Sequence, residues 1–362
     1  MSDNEQKIKE LEERIASTPY NKATQKAIGQ YKAQLARLKE KQSSGGGAQT
    51  TGYAVRKTGD GTVALLGFPS VGKSTLLNKL TGSNSEVGSY AFTTLTVIPG
   101  VMNYEHANIQ ILDVPGIVHG AASGKGRGGE VLSVIRSADL ILLLIDVQFP
   151  EHYEALKKEV YEAGIRLDSK KPDVKIKKTS KDGIKISKTV SLPDLDDETI
   201  VSILKAFRIN NADVLIRTKI NTDEFIDCIE DNKIYTSSIT VLNKVDLVDK
   251  KYAGEVAKKV NADLLISANE DKGFENLKKL IFEKLNLVRI YMKEPGKEAD
   301  LEEPLVITKD STVKDVCNKL HKDFVKKFKY CRVWGKSAKF PGQRHSLKHT
   351  LKDEDILELH LR

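Results

Sequence analysis

The sequence predicts an α/β fold built around a phosphate-gripping loop, interrupted by a smaller α+β module and flanked by helical and β-rich appendages. Two observations carry this. First, the apolar, partly β-branched run Gly61–Leu66 reads as a buried strand, and it leads through Gly67-Phe-Pro-Ser-Val-Gly-Lys-Ser74 into a helix with Leu76, Leu77 and Leu80 on its inner face. Second, strand-like runs at Ile109–Asp113, Asp139–Ile145 and Ser238–Leu242 alternate with helical segments until, after a helix at 151–164, roughly 70 residues intervene where connections are normally short.

The N-terminal segment reads as a helical hairpin. Ile8, Leu11 and Ile15 make one apolar stripe, Thr18-Pro19 breaks it, and Ile28, Tyr31, Leu35 and Leu38 make a second. Each stripe needs the other to bury it. The second helix, 22 to 41, carries six basic residues and one acid, which predicts a positive outer face. Ser43-Ser-Gly-Gly-Gly47 reads as a tether. Such a hairpin is ordinarily a packing or docking element.

The loop has the Gly-x4-Gly-Lys-Ser spacing of a Walker A motif, in the strand–loop–helix context that motif requires. Gly67 and Gly72 let the backbone curl so that its N–H groups face phosphate oxygens. The candidate nucleotide contacts run through Gly67, Phe68, Pro69, Ser70, Val71, Gly72, Lys73, Ser74 and Thr75. Lys73 supplies a point charge for the β- and γ-phosphates, Ser74 a hydroxyl for Mg²⁺, and the helix N-terminus a partial positive charge.

Downstream, Asp113-Val-Pro-Gly116 ends a strand, so Asp113 can reach Mg²⁺ through water and the Gly116 amide can meet a γ-phosphate. Upstream, Thr93, Thr94 and Thr96 offer hydroxyls that can close onto Mg²⁺ only when that phosphate is present, and they compete with a reading as ordinary strand or turn threonines. Lys73, Thr94 and Gly116 are the candidate catalytic residues. The glutamine that Ras-like switches place after Asp-x-x-Gly is replaced by Ile117, and a lone loop histidine, His119, reads as solvated. Slow intrinsic turnover is expected.

The interrupting stretch holds Val174-Lys-Ile-Lys and Ile184-Lys-Ile-Ser about a Lys181-Asp-Gly turn, expected as a hairpin, then a helix capped by Asp196, a strand at Val214–Arg217 and a helix from Asp223. Eight lysines between 168 and 190 face three acids, a pattern that suits a solvated surface or RNA equally. Beyond it, Asn243-Lys-Val-Asp246 closes a strand. The Asp246 carboxylate can accept from guanine N1–H and N2–H₂, and adenine would leave it buried and unpaired. Lys244 can lay its stem over the base, and the backbone amides of Ser267, Ala268 and Asn269 suit the guanine O6. Phosphate loop and guanine motif, in order and each at a strand end, imply a P-loop GTPase binding GTP and GDP with Mg²⁺.

In the C-terminal segment, Thr312–Phe328 reads as one amphipathic helix with Val313, Val316, Leu320 and Phe324 inward, followed by a strand at Lys329–Trp334 and a closing strand from Asp355. Twelve Lys or Arg from Lys314 to Lys352 face two acids, with Tyr330, Trp334 and Phe340 interleaved. So lopsided a run favours a phosphate-contacting face over simple solvation.

These residues resemble the Obg–HflX branch of translation-factor GTPases, and within it the developmentally regulated GTP-binding (DRG) family. Gly67–Ser74, Phe92-Thr-Thr-Leu-Thr96, Asp113-Val-Pro-Gly-Ile-Val118, Gly124-Lys-Gly-Arg-Gly128, Leu287–Tyr291 and Lys329–Gly335 carry the likeness, which spans almost the whole chain. The resemblance implies Thr94 as the switch threonine and Ile117 as the family's apolar substitute for glutamine. It makes K⁺ a candidate helper ion, although Ser70 stands where some relatives hold that ion with asparagine. It implies a helical hairpin and linker (1–47), a GTPase domain in two parts (48–165 and 238–289), an insertion similar to domain 2 of ribosomal protein S-five (166–237) and a β-grasp TGS domain (290–362). It also implies a ribosome or ribosomal RNA partner and, in eukaryotic members, a separate DRG-family regulatory protein. The alternative is a GTP-gated RNA-binding module with negligible hydrolysis.

Composition fits a cytoplasmic protein. The 362 residues are 40% hydrophobic with net charge +8, no apolar run reaches about 18 residues, and Met-Ser-Asp-Asn-Glu is no signal peptide. No lipidation motif marks either end, which makes a membrane-trafficking switch a weak reading. Cys228, Cys317 and Cys331 lack metal spacing and read as reduced, structural residues.

Overall fold

The structure, a computed structural model, describes residues 3–44, 59–82, 98–114 and 134–362. Thr93, Thr94, Thr96, Gly116, Ile117 and His119 lie outside the described residues. Along the chain come α1 (Asp3–Ser17), α2 (Gln25–Ser44), β1 (Gly61–Leu66), α3 (Lys73–Thr81), β2 (Ile98–Tyr104), β3 (Ala107–Asp113), β4 (Leu140–Asp146) and α4 (His152–Glu162). Next are β5 (Ile165–Leu167), β6 (Val174–Lys178), β7 (Ile184–Lys188), α5 (Asp197–Ala206), β8 (Ala212–Ile216) and α6 (Thr222–Glu230). Then β9 (Ile234–Asn243), α7 (Lys250–Lys259), β10 (Leu264–Leu265) and α8 (Phe274–Lys284) precede β11 (Leu287–Lys293), β12 (Leu305–Thr308), α9 (Val313–Leu320), α10 (Lys322–Lys327), β13 (Phe328–Trp334), β14 (Gln343–His345) and β15 (Asp355–Leu361).

The chain divides into two compact units, Gly52–Ala163 with Thr236–Arg362 and Met1–Thr51 with Gly164–Tyr235. In the first, the strand order is β10-β9-β4-β1-β3-β2, parallel throughout except for the β2–β3 pair. β1 and β4 are buried along their whole length, as strands covered on both faces must be. Leu76, Leu77 and Leu80 of α3 join this core, each contributing about 1.5–3 kcal/mol by burial. The carboxyl ends of β1, β3, β4 and β9 therefore open along one edge of the sheet, where Gly67, Val114, Val147 and Lys244 begin their loops.

The same unit carries a second sheet, β12-β11-β15-β13-β14, with α9 over one face. Leu287 and Val306 join the core of the large sheet, and Arg289 pairs with Glu105 of the β2–β3 turn at 2.7 Å and with Asp353 at 2.9 Å. The single helix expected over 312–328 is broken. His321 adopts an extended backbone (φ −163, ψ 137) and its Nδ1 accepts from the Asp323 amide, capping a separate α10. Leu320, expected inward, is exposed, and Cys317 takes the buried place beside Val313 and Val316.

In the second unit, α5 and α6 cover a three-stranded sheet ordered β6-β8-β7. The expected β6–β7 hairpin is not formed. β8 lies between the two, antiparallel to β6 and parallel to β7. The physical reason is polarity: Ala212, Val214 and Ile216 belong at the centre, while lysine-bearing strands blunt the edges. The link 179–183 rounds the start of β8, with the Gly183 amide donating to Asn211 Oδ1 at 2.9 Å and the Ala212 amide to the Gly183 carbonyl at 3.0 Å.

The helical hairpin packs on this unit by a face the stripe pattern did not reveal. Gly29 and Ala33 of α2 are buried against Ile203 and its neighbours on α5. A methyl group at Gly29 would meet Thr199 Cγ2 at 3.0 Å, so the close approach depends on the missing side chain. The positive outer face expected of α2 is largely neutralised. Lys26 pairs with Glu198, Lys32 with Asp223 and Lys39 with Glu12, and Arg37 donates to the Ala206 carbonyl.

Just before β5, the Gly164 carbonyl accepts from the Ile234 amide at 3.0 Å. The Arg166 guanidinium on β5 grips Asp227 of α6 in a buried bidentate pair at 2.6 and 2.8 Å. Removing one partner strands a buried charge. Asp227→Ala is expected to cost about 3–5 kcal/mol, read from urea unfolding, and an apolar replacement of both partners to recover most of it.

All three cysteines are free. Burial pushes the Cys331 thiol up to about 12 and Cys228 up to about 11, and raises Cys317. Thiolate is the reactive form, so at pH 8 alkylation of Cys317 and Cys331 should await unfolding, as mass spectrometry of iodoacetamide-treated protein can check.

Candidate nucleotide site

At the carboxyl edge of the large sheet, β1 gives way to the loop 67–72, and α3 starts directly after it. Gly72 sits at φ 98, a conformation glycine adopts freely, and a methyl group there would stand 2.7 Å from Asn243 Nδ2. Gly67 is equally constrained, since an added Cβ would meet the Leu144 carbonyl oxygen at 2.7 Å. Ser70, at φ 61, turns the loop in the left-handed region. The loop thus winds about its own interior, with Val71 buried and Pro69, Ser70, Ser74 and Thr75 exposed.

Lys73 folds back across this winding, its ammonium donating to the Gly67 and Phe68 carbonyls at 2.9 and 3.0 Å. Burial lowers its pKa, and the Asp113 carboxylate opposes that shift. Asp113, on the adjacent strand end, shows the converse: burial raises its pKa, while Lys73 and the Ser74 hydroxyl pull it down. Ser74 Oγ donates to Asp113 Oδ2 at 3.3 Å, and Asp113 Oδ1 is buried with no hydrogen-bond partner among the described residues. A hydroxyl and a carboxylate with one unsatisfied oxygen, beside a helix N-terminus, form an all-oxygen donor set that suits a hard divalent cation.

Asn243 ties this loop to the rest of the edge. Its side chain, 1% exposed, donates from Nδ2 to the Val71 carbonyl at 2.8 Å and accepts from the Ala268 amide at 3.2 Å on Oδ1. The loop after β10 is held further by Ser267, whose hydroxyl accepts from the Glu270 amide and whose backbone exchanges hydrogen bonds with Lys272; Asn269 is exposed. Lys244 takes φ 61 and Asp246 lies in the following turn of 3₁₀ helix. Asp246 Oδ1 is buried with no hydrogen-bond partner among the described residues, an acceptor that a donor-bearing ring edge could satisfy.

Two partners were not read from the sequence. The Lys244 ammonium is fixed by Asp146 Oδ2 at 2.7 Å, and Asp146, at the end of β4, is itself 5% exposed. An acid closing an otherwise apolar strand at the same sheet edge was the available signal. Phe68 stacks on His152 of α4 with ring centroids 3.9 Å apart and planes 7° apart, bracing the phosphate loop from outside. Nothing local in the sequence pairs those two residues. Thr94 and Gly116 lie outside the described residues.

The fold and this edge define a P-loop GTPase with a TGS module at its C-terminal end. Residues 62–179 match the family described as 50S ribosome-binding GTPase, 181–287 the C-terminal region of that domain, and 288–361 the TGS domain. An uncharacterized GTP-binding protein of Methanocaldococcus jannaschii is 53% identical over 98% of this chain and 92% of its own length. Developmentally-regulated G-protein 3 of Arabidopsis thaliana is 43% identical, and developmentally-regulated GTP-binding protein 1 of Xenopus laevis 42% identical, each over 99% of both chains. The chain belongs to the developmentally regulated GTP-binding protein family, and it is a GTP-binding protein that hydrolyses GTP.

Asn243→Ala leaves the Val71 carbonyl and the Ala268 amide without a partner, each at a cost of about 1–3 kcal/mol. The expected outcome is a lower melting temperature together with weaker GDP binding by calorimetry. Gly72→Ala should weaken binding as much or more, because its methyl would collide with the same carboxamide.

Proposed function

We propose that this GTPase is a timer read out on a polyanion: its nucleotide state governs docking on the ribosome or ribosomal RNA through its basic C-terminal module. The observation that carries the reading is the fate of the charges. Of the twelve Lys and Arg between Lys314 and Lys352, nine (Lys314, Lys322, Lys326, Lys327, Lys329, Lys339, Arg344, Lys348 and Lys352) form no ion pair with a described residue. The basic residues of α2, by contrast, are mostly consumed internally. The description of the matched GTPase family as ribosome-binding supports the same reading. On the insertion, Lys175, Lys177 and Lys185 share the sheet face opposite the core and would add to such a surface.

At the site, Ser74 directly and Asp113 through water would hold Mg²⁺, which when bound supplies charge neutralisation at the β- and γ-phosphates. The loop amides and Lys73 hold the phosphates and balance charge that develops as water attacks the γ-phosphorus in line. Asp246 accepts from the guanine edge, Lys244 covers the base, and Ser267, Ala268 and Asn269 present amides to its oxygen. Thr94 and Gly116 sense the γ-phosphate in this scheme, and Ile117 in place of glutamine keeps solitary turnover slow. K⁺ is the candidate helper ion, with Ser70 offering a hydroxyl where a carboxamide would grip it better. A DRG-family regulatory protein is the further partner this reading admits.

Cosedimentation with ribosomes tests the docking. With a non-hydrolysable GTP analogue the protein should pellet, with GDP much less, and affinity should fall by about 10³-fold or more between about 50 and 200 mM salt if six or more phosphates are contacted. Pelleting indifferent to salt and nucleotide would overturn the proposal. Turnover that stays at background with Mg²⁺, K⁺ and ribosomes would instead favour a GTP-gated binding module.

A further inference from the structure

The C-terminal sheet has one face under α9 and one face away from it, and the second face is only half covered. At the β11–β12 end, Leu287 and Val306 seat on the core of the GTPase sheet. Towards β15, β13 and β14 the face carries an unusual set of residues, most of them partly buried, with Gly342 of the link before β14 close against the Trp334 ring. Register places Tyr330, Arg332 and Trp334 opposite His360, Glu358 and Ile356, with Lys293 beside Glu358 and Arg344 beside Arg332. The alternate residues Cys331, Val333 and Leu357 are fully buried under α9.

These side chains are arranged as flat layers. The Tyr330 ring stacks on His360 with centroids 4.2 Å apart and planes 17° apart, and the Arg344 guanidinium lies 4.5 Å from the Tyr330 ring centre. Lys293 stands 4.5 Å over the Trp334 ring. Arg344 is exposed and sits on β14, the edge strand, so the row ends at the sheet edge on a planar cation; Phe340, in the link before β14, is 60% exposed. The acid on this face, Glu358, is spent: its side chain is 3% exposed and accepts from Lys293 at 2.8 Å, with His360 at 2.6 Å. What the face offers outward is aromatic edges and cations.

We propose that this open half of the sheet binds single-stranded RNA, whose bases extend the Arg344–Tyr330–His360 row and reach Trp334 while its phosphates meet Arg344 and Lys339. The proposal rests on the polyanion-docking reading and names its ligand class. Bases stack on aromatic rings and on guanidinium planes irrespective of sequence, and only unpaired bases can do so. An acidic protein segment would use the cations but gain nothing from the stacked rings, so charge and planarity together favour nucleic acid. Duplex RNA presents phosphates without free base faces.

Trp334 is the chain's one tryptophan, which makes the test direct. Titrating the full, GDP-loaded chain with a single-stranded RNA of about 12 nucleotides, within the span of one such binding module, should quench Trp334 emission. A duplex of the same sequence should leave that emission unchanged. Arg344→Glu, at an exposed position, should weaken binding roughly tenfold and reduce the slope of log affinity against log salt by about one or two. Tyr330→Leu should weaken it about as much with the slope unchanged, and the melting temperature reports whether that variant is folded; if it is not, the Arg344 variant and Trp334 quenching still decide. Binding without a change in Trp334 emission, equal quenching by duplex, or quenching by a polyglutamate peptide but not by RNA would each overturn the proposal. Ribosome pelleting by a chain whose Trp334 ignores RNA would sink this assignment and leave ribosome docking standing, whereas quenching without pelleting would do the reverse.

Discussion

The Asn243 carboxamide is the interaction on which the rest of the site depends. One side chain, sealed from water, joins the phosphate loop through Val71 to the base-reading loop through Ala268. The backbone carbonyl of Asn243 accepts from the Val147 amide, so the loop after β4 is drawn into the same knot. In a low-dielectric setting these hydrogen bonds meet no competition from water, and breaking any one strands a buried partner. Two recognition elements that are remote in sequence are thereby held in one register, and the left-handed Gly72 is the condition for that approach.

Much of this edge is legible in the sequence because its chemistry is local. A strand, a glycine loop and a helix lie within a score of residues about Lys73, and elsewhere the capping residue Asp196 announces its helix. Pairings remote in sequence were not legible. The β6–β7 pair looks like a hairpin until β8, read as a strand in its own right, proves to be the apolar one that must be central. His321 gives no sign in the periodicity that it will leave the helix to cap another. Lys244 with Asp146 and Phe68 with His152 are contacts of loop residues with a strand end and a helix start that only the fold brings together.

Charge was the least legible property of all. Counting alone makes the hairpin and the C-terminal module equally basic in kind, since both runs are rich in lysine. In the fold, Glu198, Asp223 and Glu12 absorb the hairpin's cations, so its positive face was an artefact of reading one helix without its neighbours. In the C-terminal module, nine of the twelve cations between Lys314 and Lys352 find no ion-pair partner among the described residues, and the buried sheet-face carboxylate Glu358 is already engaged by Lys293 and His360. A surplus that is not satisfied internally is a surface property, and it is the feature on which the proposed polyanion docking rests.

The central claim is that the knot at Asn243 presents Asp246 Oδ1 as an unsatisfied acceptor for the guanine edge. Calorimetric titration of the wild-type chain with GDP, inosine diphosphate and ADP, in Mg²⁺, reads it directly. Inosine lacks only the N2 amino group, so the account predicts GDP strongest, inosine diphosphate weaker by tenfold or more, and ADP weaker still by orders of magnitude. Equal affinity for GDP and inosine diphosphate, or measurable competition by ADP, would contradict it.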